Sequence, residues 1–182
     1  MFEALANKIV TGIMAFGMML FTSTEGNKAE FSDIQTEILQ DGLIISTQLI
    51  NSFQNDFEQV FKSGKPVIIE FALELQQGNT SVHKDKFTHT VTYDPMQQNF
   101  KIELQEKEEI IFVNNYSEML QRIAEVEYQY WGKLERQPLK ISLQASLSKL
   151  QMSSQKKYNL MILWKYRNPT IEKTIGFQKD EI

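Results

Sequence analysis

The sequence predicts a mainly β protein, an antiparallel sandwich-like or curved sheet of about seven to eight strands with two short helices inserted. Apolar and polar residues alternate over residues 67–76, which is typical of a strand with one face on a core. The alternation resumes at residues 87–93 and 100–104, after turn residues at 77–81 and the Asp94-Pro95 pair. These three strands predict an antiparallel meander at the centre of the fold.

The amino-terminal residues predict an export leader. Residues 9–22 are uncharged and mostly apolar and follow Lys8. The run is too short for a transmembrane helix of about 20 residues, but it matches the apolar region of a signal peptide. We therefore predict a signal peptide or membrane anchor at residues 1–26, with cleavage before Asn27, and a single β-rich domain at residues 27–182. The alternative is a buried amino-terminal helix.

A hairpin and a short helix are predicted to open the domain. Residues 31–39 and 43–49 form the two strands, and Asp41-Gly42 is a favoured two-residue hairpin turn. Asn51 or Ser52 then caps a helix that ends at Gly64. Its apolar residues recur at helical spacing and are expected to face the core: Phe53, Phe57, Val60 and Phe61.

After the meander, the sequence predicts a charged, solvated turn and a short buried strand at residues 110–113. The turn contains Glu103, Glu106, Glu108 and Glu109. Asn115 then begins a second helix, in a pattern that resembles a capping box with Glu118. The apolar side of this helix comprises Met119, Leu120, Ile123, Ala124 and Val126, and an aromatic cluster of Tyr128, Tyr130 and Trp131 follows where the helix becomes a loop.

Strands are predicted at residues 139–147 and 158–166, and a further short strand at 174–177. In the second of these, Trp164 and Tyr166 share the apolar face with Leu160 and Ile162, so we expect both to lie in the core. Asn168-Pro169 ends that strand.

Composition restricts the classes of function. Acidic residues outnumber basic ones by 23 to 19, and no basic cluster suits a nucleic-acid backbone. The absence of cysteine excludes disulfides, thiolate nucleophiles and cysteine-based zinc sites. The apolar share of 42% in 182 residues is sufficient for a core without such cross-links.

No catalytic, cofactor or metal site is predicted. His83 and His89 lie on one face of one strand, roughly 20 Å apart, too far to share a metal ion. We expect His89 to find one hydrogen-bond partner on the sheet face. Glu70 and Glu74, some 13 Å apart by strand rise, are too distant for paired acid–base catalysis. The chain is therefore predicted not to be an enzyme.

Aromatic residues beside basic ones indicate an interface. Tyrosine and tryptophan combine a large apolar body with a polar group and are enriched where proteins meet proteins or membranes. We identify Tyr130, Trp131 and Arg167 as candidate interface residues.

The middle of the chain resembles a family of small exported bacterial proteins catalogued only as a domain of unknown function. The resemblance covers roughly residues 30–150 and depends on structural positions. It is carried by GKPVIIEF at residues 64–71, TYD at 92–94 followed by Phe100, YSEM at 116–119, the strand at 139–147 and, at the carboxyl end, WKYRNP at 164–169. It implies a β-rich protein that is periplasmic or anchored to the membrane.

We therefore expect a non-enzymatic exported cell-envelope protein that acts as a protein-interaction or assembly module. It would be periplasmic, or anchored to the inner membrane through residues 9–22 with its domain in the periplasm, and its partner would be an envelope protein. The alternative is a periplasmic carrier of an apolar, lipid-like ligand, with a cavity between the sheet and the helix of Phe53, Phe57 and Phe61. An enzyme that uses carboxylates ranks third.

Overall fold

The computed structural model describes residues 26–152 and 156–176. Apart from Gly26, the predicted leader lies outside the described residues, and so does Phe177 of the last predicted strand. The described residues form these strands: β1 (Glu30–Phe31), β2 (Gln35–Leu39), β3 (Gly42–Ile50), β4 (Val67–Gln77), β5 (Thr80–Asp94), β6 (Asn99–Leu104), β7 (Glu109–Val113), β8 (Glu125–Trp131), β9 (Leu139–Leu147), β10 (Lys149–Gln151), β11 (Lys157–Asn159) and β12 (Thr170–Ile175). They also form the helices α1 (Phe57–Phe61) and α2 (Tyr116–Ala124) and the 3₁₀ helices Gln105–Lys107 and Leu160–Trp164.

The larger sheet has six antiparallel strands in the order β12-β9-β4-β5-β6-β7. The predicted meander is its β4-β5-β6 section, which is confirmed. Every second side chain of β4 is buried, from Val67 to Leu75, because that face lies on the core.

The second sheet is built on β3, which pairs with β1, β2 and β8. Side chains of the two sheets meet in one core: the rings of Phe87 and Tyr128 stack with centroids 5.4 Å apart, and those of Phe31 and Phe71 lie 6.5 Å apart. The short strands β10 and β11 pair only with each other in the described residues. The predicted mainly β, antiparallel and sandwich-like fold is confirmed.

Both predicted helices exist. All four apolar side chains expected to face the core from the first are buried, although α1 begins after Asp56 and not at Asn51 or Ser52. The side chain of Asn115 caps α2, since its Oδ1 accepts hydrogen bonds from the backbone N–H groups of Ser117 (2.7 Å) and Glu118 (3.2 Å).

The aromatic stretch after α2 is a strand, not the predicted junction of helix and loop. The helix ends at Ala124, and the residues from Glu125 to Trp131 pair in register with β3. These residues form a strand because they pair with an edge of β3 that is otherwise free, and the sequence around α2 does not reveal that edge.

The predicted strand at residues 158–166 is also wrong beyond Asn159. The chain there enters the 3₁₀ helix Leu160–Trp164, which Asn159 caps through a 3.1 Å hydrogen bond from the backbone N–H of Met161. Trp164 is buried as expected and donates its indole N–H to Ser52 O at 2.8 Å. Tyr166 is 64% exposed, because the positive φ of 57° at this residue turns the chain away from the core.

The first hairpin turn lies one residue earlier than predicted. Leu39 pairs with Gly42, so Gln40 and Asp41 form the turn and Gly42 belongs to β3. A Cβ atom on Gly42 would lie 2.3 Å from Tyr130 O, so glycine permits the close approach of β3 and β8. The last strand, Thr170–Ile175, likewise begins earlier than the predicted residue 174.

No helix within residues 26–152 and 156–176 is long and apolar enough to span a membrane.

Candidate functional site

The outermost strand of the larger sheet, β7, exposes two large apolar side chains. Ile110 is 56% exposed and Phe112 is 63% exposed, while Val113 on the opposite face is buried. The strand was predicted to be buried. It is not, because it lies at the sheet edge and its outward face is covered by no other described element. An exposed apolar edge strand is a typical place for another chain to pair.

Charged residues of β6 lie directly beside the two apolar side chains. Lys101 is opposite Phe112 and Glu103 is opposite Ile110 in the β6–β7 register. The Lys101 ammonium contacts the Glu103 carboxylate at 3.0 Å. The edge therefore presents an apolar stripe bordered by an ion pair.

A buried histidine connects the segments on both sides of β7. His89 lies in β5, and its side chain and that of Glu106 have no exposed surface. His89 Nε2 lies 3.0 Å from Glu106 Oε1, in the 3₁₀ turn before β7, and His89 Nδ1 lies 2.9 Å from Ile123 O, in the helix after it. The prediction of a solvated Glu106 is therefore wrong, and His89 has two partners where one was expected.

The acceptors fix where the protons lie. A carbonyl oxygen only accepts, so His89 Nδ1 carries a proton and donates it to Ile123 O. His89 Nε2 and the Glu106 carboxyl group then share a second proton, and Glu106 Oε2 is buried without a hydrogen-bond partner. Buried polar groups of this kind couple the elements that carry them strongly. We conclude that His89 ties both ends of the β7 segment to the centre of the sheet.

A second polar cluster joins the two sheets near the β4–β5 hairpin. The hydroxyl of Tyr128 in β8 donates to Asp85 Oδ2 at 2.6 Å, so its oxygen accepts from His83 Nε2 at 2.7 Å. Burial, and then the hydrogen bond and negative charge of Asp85, raise the pKa of Tyr128. The phenol is therefore neutral at physiological pH, and the cluster acts as a cross-sheet link and not as an activated nucleophile.

The three predicted interface residues occupy two places. Tyr130 is half-buried, with its ring 5.0 Å from that of His83, and the adjacent Trp131 is 67% exposed. Arg167 is exposed and its backbone N–H donates to Trp164 O at 3.0 Å. Trp131 pairs with Gly42, the first residue of β3, whereas Trp164 bonds to Ser52, just beyond the last residue of β3. The length of β3, roughly 25 Å, therefore separates Trp131 from Trp164 and from the neighbouring Arg167. Tyr130 and Trp131 come together, and Arg167 lies apart.

A shallow groove of about 490 Å³ lies on the outer face of the larger sheet, over Ala72. Glu74 lines this groove and Glu70 lines a neighbouring one, and the two carboxylates have separate partners. Glu74 contacts Lys84 at 3.2 Å, and hydrogen bonds from Gln76, Ser81 and Lys84 lower its pKa. Glu70 accepts hydrogen bonds from Ser146 and Ser148. Each carboxylate therefore has its own partners, and these contacts do not direct the pair at a common point.

The aromatic side chains beside α1 pack against one another. Phe53 lies 5.3 Å from Phe57 and 5.7 Å from Phe61 between ring centroids, and Trp164 lies 6.1 Å from Phe53. This packing does not favour the lipid-carrier alternative, which stays a prediction. In the part of the chain that the structure describes, no group of three or more metal-ligating side chains is present.

Sequence reasoning predicted a strand at residues 110–113 but missed its exposure, because four consecutive apolar residues are typical of a strand buried on both faces. Nothing in the local sequence identifies such a strand as the sheet edge. The role of Glu106 was equally hidden, since it stands among three other glutamates that do not face the core.

No curated protein and no solved structure matches this chain. A family described as a domain of unknown function (DUF4390) matches residues 26–173, which include every described strand except the end of β12. The match covers most of the chain, and the chain therefore belongs to the DUF4390 family of domains of unknown function.

Proposed function

We propose that this chain is a non-enzymatic protein of the cell envelope that acts as an interaction or assembly module, with β7 as its binding edge. The observation that carries the proposal is the exposure of Ile110 and Phe112 on an edge strand. A partner strand that pairs with β7 gains backbone hydrogen bonds from its edge and apolar contacts from these two side chains.

The anchoring of β7 supports this role. An edge that binds another chain loses less entropy on binding when it is already held in place. The bonds of His89 to Glu106 and Ile123 hold the turn before β7 and the helix after it. A 3.6 Å ion pair between Lys107 and Glu127 adds a further link from that turn to β8.

Export to the periplasm, either as a free protein or anchored through residues 9–22, belongs to the same proposal. Its basis is the uncharged apolar run at residues 9–22, which matches the apolar region of a signal peptide. Fractionation of cells that carry a carboxy-terminally tagged chain, with the intact mass of the product, tests it. A periplasmic chain beginning near Asn27 or a full-length membrane-bound chain agrees with export, whereas full-length protein in the cytosol refutes it.

Photo-crosslinking in cells tests the binding edge. A benzophenone amino acid at position 112 is expected to give a discrete crosslinked protein species. The matched control is position 96, because Met96 is also apolar and is 93% exposed but lies in the turn between β5 and β6. Equal crosslinking at the two positions, or none at 112, would contradict the assignment of β7.

A further inference from the structure

We infer that the chain which pairs with β7 is a second copy of this chain, arranged antiparallel about Ile111. Ile110 of each copy then lies opposite Phe112 of the other. This inference rests on the proposed function, because it names the partner of the same edge. Its basis is the order of side chains along β7 and the charges on either side of them.

The order of residues in β7 suits self-pairing in one register. Two identical antiparallel strands are related by a two-fold axis, and opposite residues must point to the same face of the sheet. When the axis passes through Ile111, all five residues of β7 are paired, and Glu109 lies opposite the partner's Val113. Both exposed apolar side chains then face apolar side chains.

The neighbouring registers are less favourable. An axis through Ile110 places Glu108 opposite the partner's Phe112 and leaves Val113 beyond the paired strand. An axis through Phe112 places Ile110 opposite the partner's Asn114, which lies outside the strand. Each of these registers covers fewer apolar residues, so the Ile111 register buries the most apolar surface.

The charges near the edge are complementary in the Ile111 register. Lys101 lies beside Phe112 and Glu103 lies beside Ile110. Across the paired edges, the order of side chains is therefore Lys101, Phe112, the partner's Ile110 and the partner's Glu103, with opposite charges at the two ends. Glu108 lies opposite the partner's Asn114, two residues before α2, while Glu109 lies opposite the partner's Val113. The amino-terminal end of a helix carries partial positive charge, which attracts carboxylates. No carboxylate of β7 faces another carboxylate.

The consequence is that the six-stranded sheets of two copies join into one continuous sheet across the axis. Pairing in this way protects the exposed apolar edges of both copies at once. The assembly is closed, because each copy uses its β7 edge once and leaves none open for a third.

Two charge variants at solvent-exposed positions test both the dimer and its register. In Ile110→Glu/Phe112→Glu, glutamate faces glutamate twice, and we expect dimerisation to weaken by at least about tenfold. In Ile110→Lys/Phe112→Glu, lysine faces glutamate twice, so we expect this variant to dimerise more tightly than the first. Both variants are equally polar, and both positions are more than half exposed, so the fold is expected to survive in each. Circular dichroism checks the fold, and sedimentation equilibrium of the full chain over a concentration series gives the dissociation constants.

A single introduced cysteine provides an independent readout, because the chain has no cysteine of its own. Ile111→Cys places two thiols opposite each other at the axis, within the separation that a disulfide spans. We expect an oxidised dimer on a non-reducing gel. Val113→Cys serves as the matched control, since it lies opposite the partner's Glu109 and is expected to form no disulfide-linked dimer.

The outcomes separate this inference from the proposed function. A monomer at all concentrations, equal loss of the dimer in both charge variants, or equal disulfide formation at 111 and 113 overturns self-pairing. If the chain is monomeric but position 112 still crosslinks to a different protein in cells, the β7 edge is a binding site for another partner and self-pairing is refuted. If neither a dimer nor a crosslink at position 112 forms, both proposals fail.

Discussion

The buried pair of His89 and Glu106 offers the most informative perturbation of this fold. We consider His89→Phe, which keeps a ring of similar size among the neighbouring rings of Phe71 and Phe87, at 4.6 and 6.1 Å. The substitution removes both hydrogen bonds of the imidazole. It leaves the Glu106 carboxylate, which has no exposed surface, without the partner that now bonds one of its oxygens.

The expected cost is large. Removing one partner of a buried hydrogen-bonded pair leaves the other polar group buried and unpaired, which lowers the free energy of unfolding by about 1–3 kcal/mol, and by more when the remaining group is charged. Total stabilities of single domains lie at about 5–15 kcal/mol, so the variant loses a large fraction of its stability. In His89→Phe/Glu106→Met neither polar side chain of the pair remains, and we expect it to be more stable than His89→Phe by about 2 kcal/mol.

Urea unfolding followed by circular dichroism and by the fluorescence of the buried Trp164 gives these free energies. Hydrogen exchange then reports where the structure loosens. If His89 holds β7 in place, amides from residues 105–124 exchange faster in His89→Phe, while those of β4 and β9 change less. His83→Phe is the control, since His83 is only half-buried and bonds Tyr128 near the other end of β5. It is expected to cost about 1 kcal/mol and to leave exchange in β7 unchanged.

Two results would refute this reasoning. One is a double variant that is less stable than His89→Phe alone, which would mean that the carboxylate is not the source of the cost. The other is uniform acceleration of exchange over the whole sheet, which would mean that His89 contributes to general packing and does not hold the β7 segment specifically.

Three further predictions concern other contacts. The pKa of Tyr128 is raised in the folded chain, so its contribution to stability is complete below the ordinary tyrosine value of about 10 and is lost as pH rises above it. Tyr128→Phe is therefore expected to reduce the loss of stability at alkaline pH, measured by unfolding at a series of pH values. Burial also raises the pKa of Tyr116, which accounts for part of the remaining loss. Gly42→Ala is expected to lower the free energy of unfolding by about 1–3 kcal/mol, because the added methyl group meets a backbone carbonyl of β8. The control Gly176→Ala, whose methyl group meets nothing within 4 Å, is expected to change it by less than about 0.5 kcal/mol. Equal effects of the two variants in thermal unfolding would contradict the close approach of β3 and β8. Asn115→Ala removes the cap of α2 and costs about 1 kcal/mol, and Asn115→Asp retains most of it; urea midpoints distinguish the two, and an equal loss would show that the cap contributes little.

Local sequence was sufficient to identify the central strands. The alternation in β4, β5, β6 and β9 identified both their existence and the face that is buried, because a strand has a period of two and one face must lie on the core. The cap at Asn115 was also correctly identified, since capping depends on residues only two and three positions away.

Periodicity failed where distant residues decided the conformation. The alternating pattern at residues 158–166 suits a strand, but residues from Leu160 to Trp164 form a 3₁₀ helix. In it Trp164 bonds to the backbone of Ser52, which lies far away in sequence. The stretch after α2 became a strand because β3 was available to pair with it over seven residues.

The candidate site on β7 is likewise decided by distant residues. Ile110 and Phe112 have the sequence of a buried strand, and only the order of strands in the sheet makes β7 an edge. Glu106 has the sequence of a solvated turn, and only the approach of β5 and α2 buries it against His89. The sequence by itself determined the strands β4, β5, β6 and β9 and which face of each is buried, because alternation depends on neighbours along the chain. Tertiary structure decided that β7 lies at the edge of its sheet and that the carboxyl group of Glu106 is buried, because both depend on residues far apart in sequence.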